Sequence, residues 1–135
     1  AVKGNPSVHA IQSLLQNTTD GAAFIDIGAN VGFMTHFGLS LGRPVYGVDP
    51  ISYDIAKICE GYRANMEKSW AKPNQLHLYH AAAGPEYQPY IAIVRPSDEV
   101  GFFDQSSLTR DAINAHDVTE EHVPMITVDS LIPPE

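Results

Sequence analysis

The feature that most constrains the fold is the alternation of short apolar runs with segments whose apolar residues recur at helical spacing. Ala22–Ile27 and Val45–Val48 are such runs, and Leu76–Ala83 resembles a third strand. The first two are too short for helices and lack the every-other-residue polarity of a half-solvated strand. They read as strands buried on both faces, as in a parallel sheet. Between the strands, Gly32–Leu41 reads as a helix. A second helix opens at Ser52, where Ile55, Ile58, Cys59, Tyr62 and Met66 step by threes and fours. Val8–Gln16 forms a packing helix ahead of the sheet, with Ser7 as its cap and the Asn17–Gly21 cluster as its stop. Breakers fall where this scheme needs them: Gly42 and Pro44, Asp49-Pro50, Pro73-Asn74 and Gly84-Pro85.

Strands joined by helices require right-handed crossovers. The expected architecture is α/β and Rossmann-like: a doubly wound, mainly parallel sheet with flanking helices, in a single domain over residues 1–135. Beyond Pro85 the alternation stops. Tyr90–Val94 and Val123–Val128 read as strands, separated by a polar stretch that accommodates a hairpin and a short helix around Thr109–Ala115.

Charge narrows the partners. Eight basic against sixteen acidic residues leave a net charge of -8, and the basic residues are scattered, so no nucleic-acid partner is expected. No run of 18 apolar residues occurs, so no membrane span is expected. The single cysteine, Cys59, cannot form an internal disulfide and lies in the apolar stripe of a helix. It reads as structural rather than nucleophilic, and a reducing, cytoplasmic setting is expected. Starting at Ala1 rather than methionine, the chain reads as excised or processed, so a targeting segment can have been removed.

The residues that carry chemistry lie in Phe24-Ile25-Asp26-Ile27-Gly28-Ala29-Asn30-Val31-Gly32-Phe33, at a strand-to-helix junction. Gly28 and Gly32 permit a tight turn and close approach of a ligand. The N–H groups opening the next helix favour an anionic or electron-rich ligand group. Asp26 pulls the other way: it repels a pyrophosphate and suits a ligand bearing an ammonium. Asp49 ends the second strand 21 residues after Gly28, the spacing at which a carboxylate accepts both ribose hydroxyls of a nucleotide. Each feature alone has a bland reading, a turn glycine or a helix cap. Together they predict cofactor binding across two adjacent strand ends.

FIDIGANVG, VYGVDP, HLYHAAAG and VPMITVDSL resemble the FkbM-type methyltransferases, a branch of the class I, Rossmann-like enzymes that use S-adenosyl-L-methionine. The resemblance covers about Ala22 to Leu131, and DIGANVG is its most specific part, with Asn30 where the wider superfamily often has glycine. It implies that Asp26, Gly28, Ala29, Asn30 and Gly32 surround the methionine moiety and that Asp49 holds the ribose. Pro50 and Ala82 are then expected towards the adenine. It also implies O-methylation of a hydroxyl on a small molecule or glycan. Members usually continue past the VDSL-like segment into another core strand beside the first. Ending at Glu135, this chain is expected to be a C-terminally incomplete fragment lacking those strands.

Other residues are weaker candidates. His77 and His80 are three apart in a strand and point to opposite faces, so they cannot share a metal, and no metal site is expected. Asp104, His80 and His116 are conceivable bases for a substrate hydroxyl, leaving the catalytic base unassigned. Gly101–Ser107 is either part of a substrate wall or a surface hairpin. His36, early in the helix after the glycine loop, either faces the cofactor or packs at the surface; His122 has no evident partner. Two rivals remain: an NAD-dependent oxidoreductase, disfavoured because Asn30 and Phe33 replace glycines of its fingerprint, and a non-catalytic cofactor-binding or scaffolding domain. Homo-oligomerisation is left open.

Overall fold

The computed structural model describes residues 6–19, 21–96 and 118–132. The order of elements is α1 (Pro6–Asn17), β1 (Phe24–Ile27), α2 (Phe33–Ser40), β2 (Val45–Asp49), α3 (Ser52–Glu67), β3 (Leu76–His80), β4 (Ala82–Ala83), β5 (Gln88–Pro96) and β6 (Val118–Ile126). A single 3-10 turn over Val128–Ser130 follows. α1 begins at Pro6, so Ser7 lies inside its first turn rather than at the cap. α3 is preceded by Ile51 in extended conformation, and Ser52 is its first residue.

β1, β2 and β3 form a parallel sheet in the order β1-β2-β3, with Asp26 opposite Gly47 and Val48 opposite Tyr79. This mixed α/β arrangement, a parallel three-stranded sheet with flanking helices, matches the expected Rossmann-like alternation. Val45 and Val48 are fully buried in the central strand, as an apolar run flanked on both sides requires.

Two expectations are corrected. Leu76–Ala83 is not one strand: the chain breaks at Ala81, whose N–H donates to the Asp49 carbonyl at 3.1 Å. Beyond that point Ala82–Ala83 joins a second sheet, ordered β4-β6-β5, in which β4 runs parallel and β5 antiparallel to β6. The strand expected at Val123–Val128 starts at Val118 and ends at Ile126, and Val128-Asp129-Ser130 winds into the 3-10 turn. That turn drops Leu131 into a cluster with Val48 and Ala81, which ties the second sheet to the first. The helix expected at Thr109–Ala115 lies outside the described residues.

Buried polar groups fasten the bottom of the sheet. Gln75, just before β3, donates through Nε2 to the carbonyls of Leu39 (2.9 Å) and Arg43 (3.0 Å) and accepts from the Lys72 N–H (2.9 Å). Arg43 in turn donates to the carbonyls of Leu15 and Thr19, holding the end of α1 against the turn before β2. The Leu15 and Leu39 carbonyls among these lie in the last turns of α1 and α2, where helix ends leave acceptors open.

Candidate cofactor site

At the carboxyl ends of β1 and β2 the chain makes a hook. Gly28 and Ala29 both donate N–H to the Val48 carbonyl, at 2.9 and 3.1 Å, so the loop folds over the end of the neighbouring strand. Such a hook needs left-handed backbone, found at Gly28 (φ 73°), Asn30 (φ 51°) and Gly32 (φ 91°). Asparagine is among the few non-glycine residues that tolerate this region, which accounts for Asn30 standing where glycine is common. Gly32 is more constrained: a Cβ there would lie 2.7 Å from Ile58 Cγ1 of α3.

Asp49 staples the hook. Its Oδ2 accepts the Asn30 N–H at 2.8 Å and its Oδ1 accepts the Ile51 N–H at 2.9 Å. Burial raises its carboxyl above the usual aspartate range, and the nearby Asp26 charge adds to this. The Ile51 and Asn30 N–H groups and His80 oppose the rise. A carboxylate has about four lone-pair positions, so two remain for a ligand.

Asp26, half-buried at the end of β1, is also raised by burial, and Thr35 opposes the rise through its hydroxyl and its backbone N–H. Thr35 Oγ1 donates to Asp26 Oδ2 at 2.6 Å. No signal local to Asp26 singled out Thr35; its place in the first turn of α2, facing the sheet, is the feature that would have.

One property of the loop bears on its ligand. The N–H groups of the loop itself, from Gly28 to Gly32, are committed within the protein. Gly28 and Ala29 donate to Val48, Asn30 to Asp49, Val31 to the Asn30 side-chain oxygen at 2.6 Å, and Gly32 to the Ala29 carbonyl at 2.9 Å. Two carboxylates stand around the hook, Asp26 half-buried and Asp49 buried, and neighbouring carboxylates favour a cation.

The other candidates fall as follows. Pro50 is half-buried, and its carbonyl accepts from His80 Nε2 at 3.0 Å. Ala82, in β4, packs against the cluster of Ile51, Ile93 and Val123. His77 stacks on Tyr46 with centroids 4.5 Å apart, on the sheet face opposite His80. His36 turns away from Asp26: it packs against Gly61, and the Asn65 amide donates to its Nδ1 at 3.3 Å. Burial lowers its pKa, which keeps it neutral. Cys59 is a half-buried free thiol. His122 has a partner after all, the Glu120 carboxylate at 2.6 Å, and stacks on Tyr90. Asp104, His116 and Gly101–Ser107 lie outside the described residues. Among those described, no group of three or more His, Cys, Asp or Glu residues is placed to hold a metal, and no helix is long and apolar enough to cross a membrane.

A second polar cluster, missed in the sequence, lies where α3 meets the second sheet. Glu121 of β6 accepts the Ser52 N–H at 2.8 Å and the Arg95 Nε–H at 3.0 Å, and lies 3.5 Å from His80 Nε2. Asp54, in the first turn of α3, is 1% exposed, and its Oδ1 has no hydrogen-bond partner among the described residues.

No protein-family model matches the sequence, and comparison with the curated proteins finds no match. Among solved structures, the backbone is similar to that of the methyltransferase FkbM from Methylobacillus flagellatus KT, with a TM-score of 0.56 and 12% identity. The similarity covers 96% of this chain and 28% of that one, so the chain spans little more than a quarter of the methyltransferase's length. The parallel sheet and its flanking helices have an FkbM-like fold.

Proposed function

We propose that this chain is the cofactor-binding part of an S-adenosyl-L-methionine-dependent methyltransferase that methylates a hydroxyl oxygen on a small molecule or glycan. The observation that carries the reading is the pairing of Asp26 and Asp49 around a hook whose own N–H groups are spent. A dinucleotide's pyrophosphate needs those donors and is repelled by these carboxylates. A ligand with a cationic amino-acid end and a ribose meets the opposite requirements, and the residues present fit it.

In this reading Asp26 pairs with the ammonium, the open backbone at Gly28, Ala29, Asn30 and Gly32 admits the methionine chain, and Asp49 accepts the ribose hydroxyls on its remaining lone pairs. Pro50 and Ala82 flank the adenine. When bound, the cofactor supplies an electrophilic methyl group on a sulfonium. Methyl transfer then depends on alignment of the acceptor oxygen and on removal of its proton. His80 is already engaged with Pro50 and Glu121, so it enters as a base only by giving up those contacts.

The reading includes a larger domain. Among the described residues β1 pairs on one edge only, with β2, and the methyltransferase of similar fold is far longer than this chain. A further strand beside β1 completes the doubly wound sheet. A non-catalytic cofactor-binding or scaffolding role is favoured only if methyl transfer fails in a chain so completed.

Calorimetric titration with S-adenosylhomocysteine, S-adenosyl-L-methionine and NAD tests the proposal. Micromolar binding of the first two and none of NAD is expected, and Asp49→Ala should remove most of that affinity. Binding of NAD alone, or wild-type affinity in Asp49→Ala, refutes it.

A further inference from the structure

Thr35 is fully buried in α2 at 0% exposure. A threonine inside a helix commonly turns its hydroxyl back to a carbonyl of the preceding turn. This one instead reaches across to β1, donating to Asp26 Oδ2 at 2.6 Å. The reach depends on space left by the neighbouring strand. Gly47 sits opposite Asp26 in the register, and a Cβ there would come within 3.4 Å of Thr35 Oγ1 and 3.0 Å of Leu78 Cδ1.

Nothing else described on the elements around Asp26 supports its charge. From β2 the titratable neighbour is Asp49, of the same sign. On α2 the nearest titratable side chain, His36, faces Gly61 and Asn65 of α3 instead. Burial therefore presses Asp26 towards the neutral acid, which would offer an O–H where a cationic ligand also brings donors.

Resting on the methyl-donor reading above, we infer that Thr35 is a positioning residue that keeps Asp26 ionised and fixes its carboxylate towards the cationic end of the cofactor. The hydroxyl does this by a charge-assisted bond, the kind whose loss costs more than that of a neutral pair. Because the bond is to the ionised form, its loss lets Asp26 take up a proton at higher pH, so the cost to binding of a cationic ligand grows as pH falls towards that titration.

The test uses the 135-residue chain with Thr35→Val, which keeps the shape, and Thr35→Ser, which keeps the hydroxyl. The Asp26 carboxyl is titrated by carbon-13 NMR in the chain alone. Its midpoint should move to higher pH in Thr35→Val and return in Thr35→Ser. Affinity for S-adenosylhomocysteine at pH 7 should fall about tenfold or more in Thr35→Val, with the loss deepening at lower pH, and recover in Thr35→Ser. In an Asp26→Asn background, Thr35→Val should cost no further affinity. An unmoved Asp26 midpoint overturns the inference whatever binds, and so does an equal loss in the Asp26→Asn background. If the wild-type chain binds no S-adenosylhomocysteine, the cofactor reading fails instead, and the NMR midpoint alone decides whether Thr35 controls the Asp26 charge.

Discussion

Asp54 provides a quantitative test of the tertiary arrangement. It is 1% exposed, its Oδ1 lacks a partner among the described residues, and its carboxyl is pushed up from 3.8 to about 6. Burial is the main cause, Asp49 and Glu121 add to it, and Arg95 opposes it. An acid whose folded-state affinity for protons exceeds its unfolded one stabilises the fold fully below pH 4, and that stability is lost as pH rises through 6. At about 1.4 kcal/mol for each tenfold change in proton affinity, holding Asp54 ionised at neutral pH costs the fold about 3 kcal/mol. Asp54→Asn removes the charge at nearly constant volume but leaves an amide imperfectly bonded, at a cost of about 1 kcal/mol. The net expectation is a variant more stable than wild type by about 1–2 kcal/mol at pH 8, equal or less stable at pH 4. Urea denaturation at a series of pH values measures it. The difference between the two proteins isolates Asp54 from Asp26 and Asp49, whose carboxyls are raised in the same sense. Parallel pH profiles for the two proteins, or a variant less stable at pH 8, would refute the assignment of Asp54 as an uncompensated buried acid.

Further outcomes follow from the hook and the second cluster. Gly32→Ala forces a side chain into left-handed backbone and against Ile58 Cγ1 at 2.7 Å; a loss of about 1–3 kcal/mol in urea denaturation is expected, with weakened S-adenosylhomocysteine binding. Burial alone would raise the Glu121 carboxyl, but the Ser52 N–H and hydroxyl and the Arg95 guanidinium outweigh it and hold it lowered. Glu121→Gln should therefore destabilise the chain by about 1 kcal/mol at pH 7. That difference should shrink as pH falls through the titration of the glutamate, which thermal melts at pH 7 and pH 3 would read.

The strand–helix alternation, the hook at Asp26–Gly32 and the strand-ending Asp49 are legible in the sequence because each is a local pattern. An apolar run of strand length, helical spacing and a glycine at a fixed offset depend on residues a few places apart. The same locality explains the misread segments. Leu76–Ala83 has uniform strand character, and only the Asp49 carbonyl, fixed by a different strand, decides that the chain leaves the first sheet at Ala81. Val123–Val128 likewise reads as one strand until Leu131 must reach Val48 and Ala81.

What the sequence by itself determined is the kind of fold and the place on it where the chain makes its glycine-bearing hook. Residues that must turn left-handed, or be apolar on both faces of a strand, declare themselves by type. What only the tertiary structure decided is how the charges there are held. The Thr35–Asp26 bond, the double acceptance by Asp49 and the meeting of Ser52 with Glu121, 69 positions apart, join groups that no periodicity connects. Whether the hook's N–H groups face a ligand or the protein is settled in the same way. A hydrogen-bond donor carries no mark of its partner in the chain, and the partner is chosen only when packing brings the two together and excludes water.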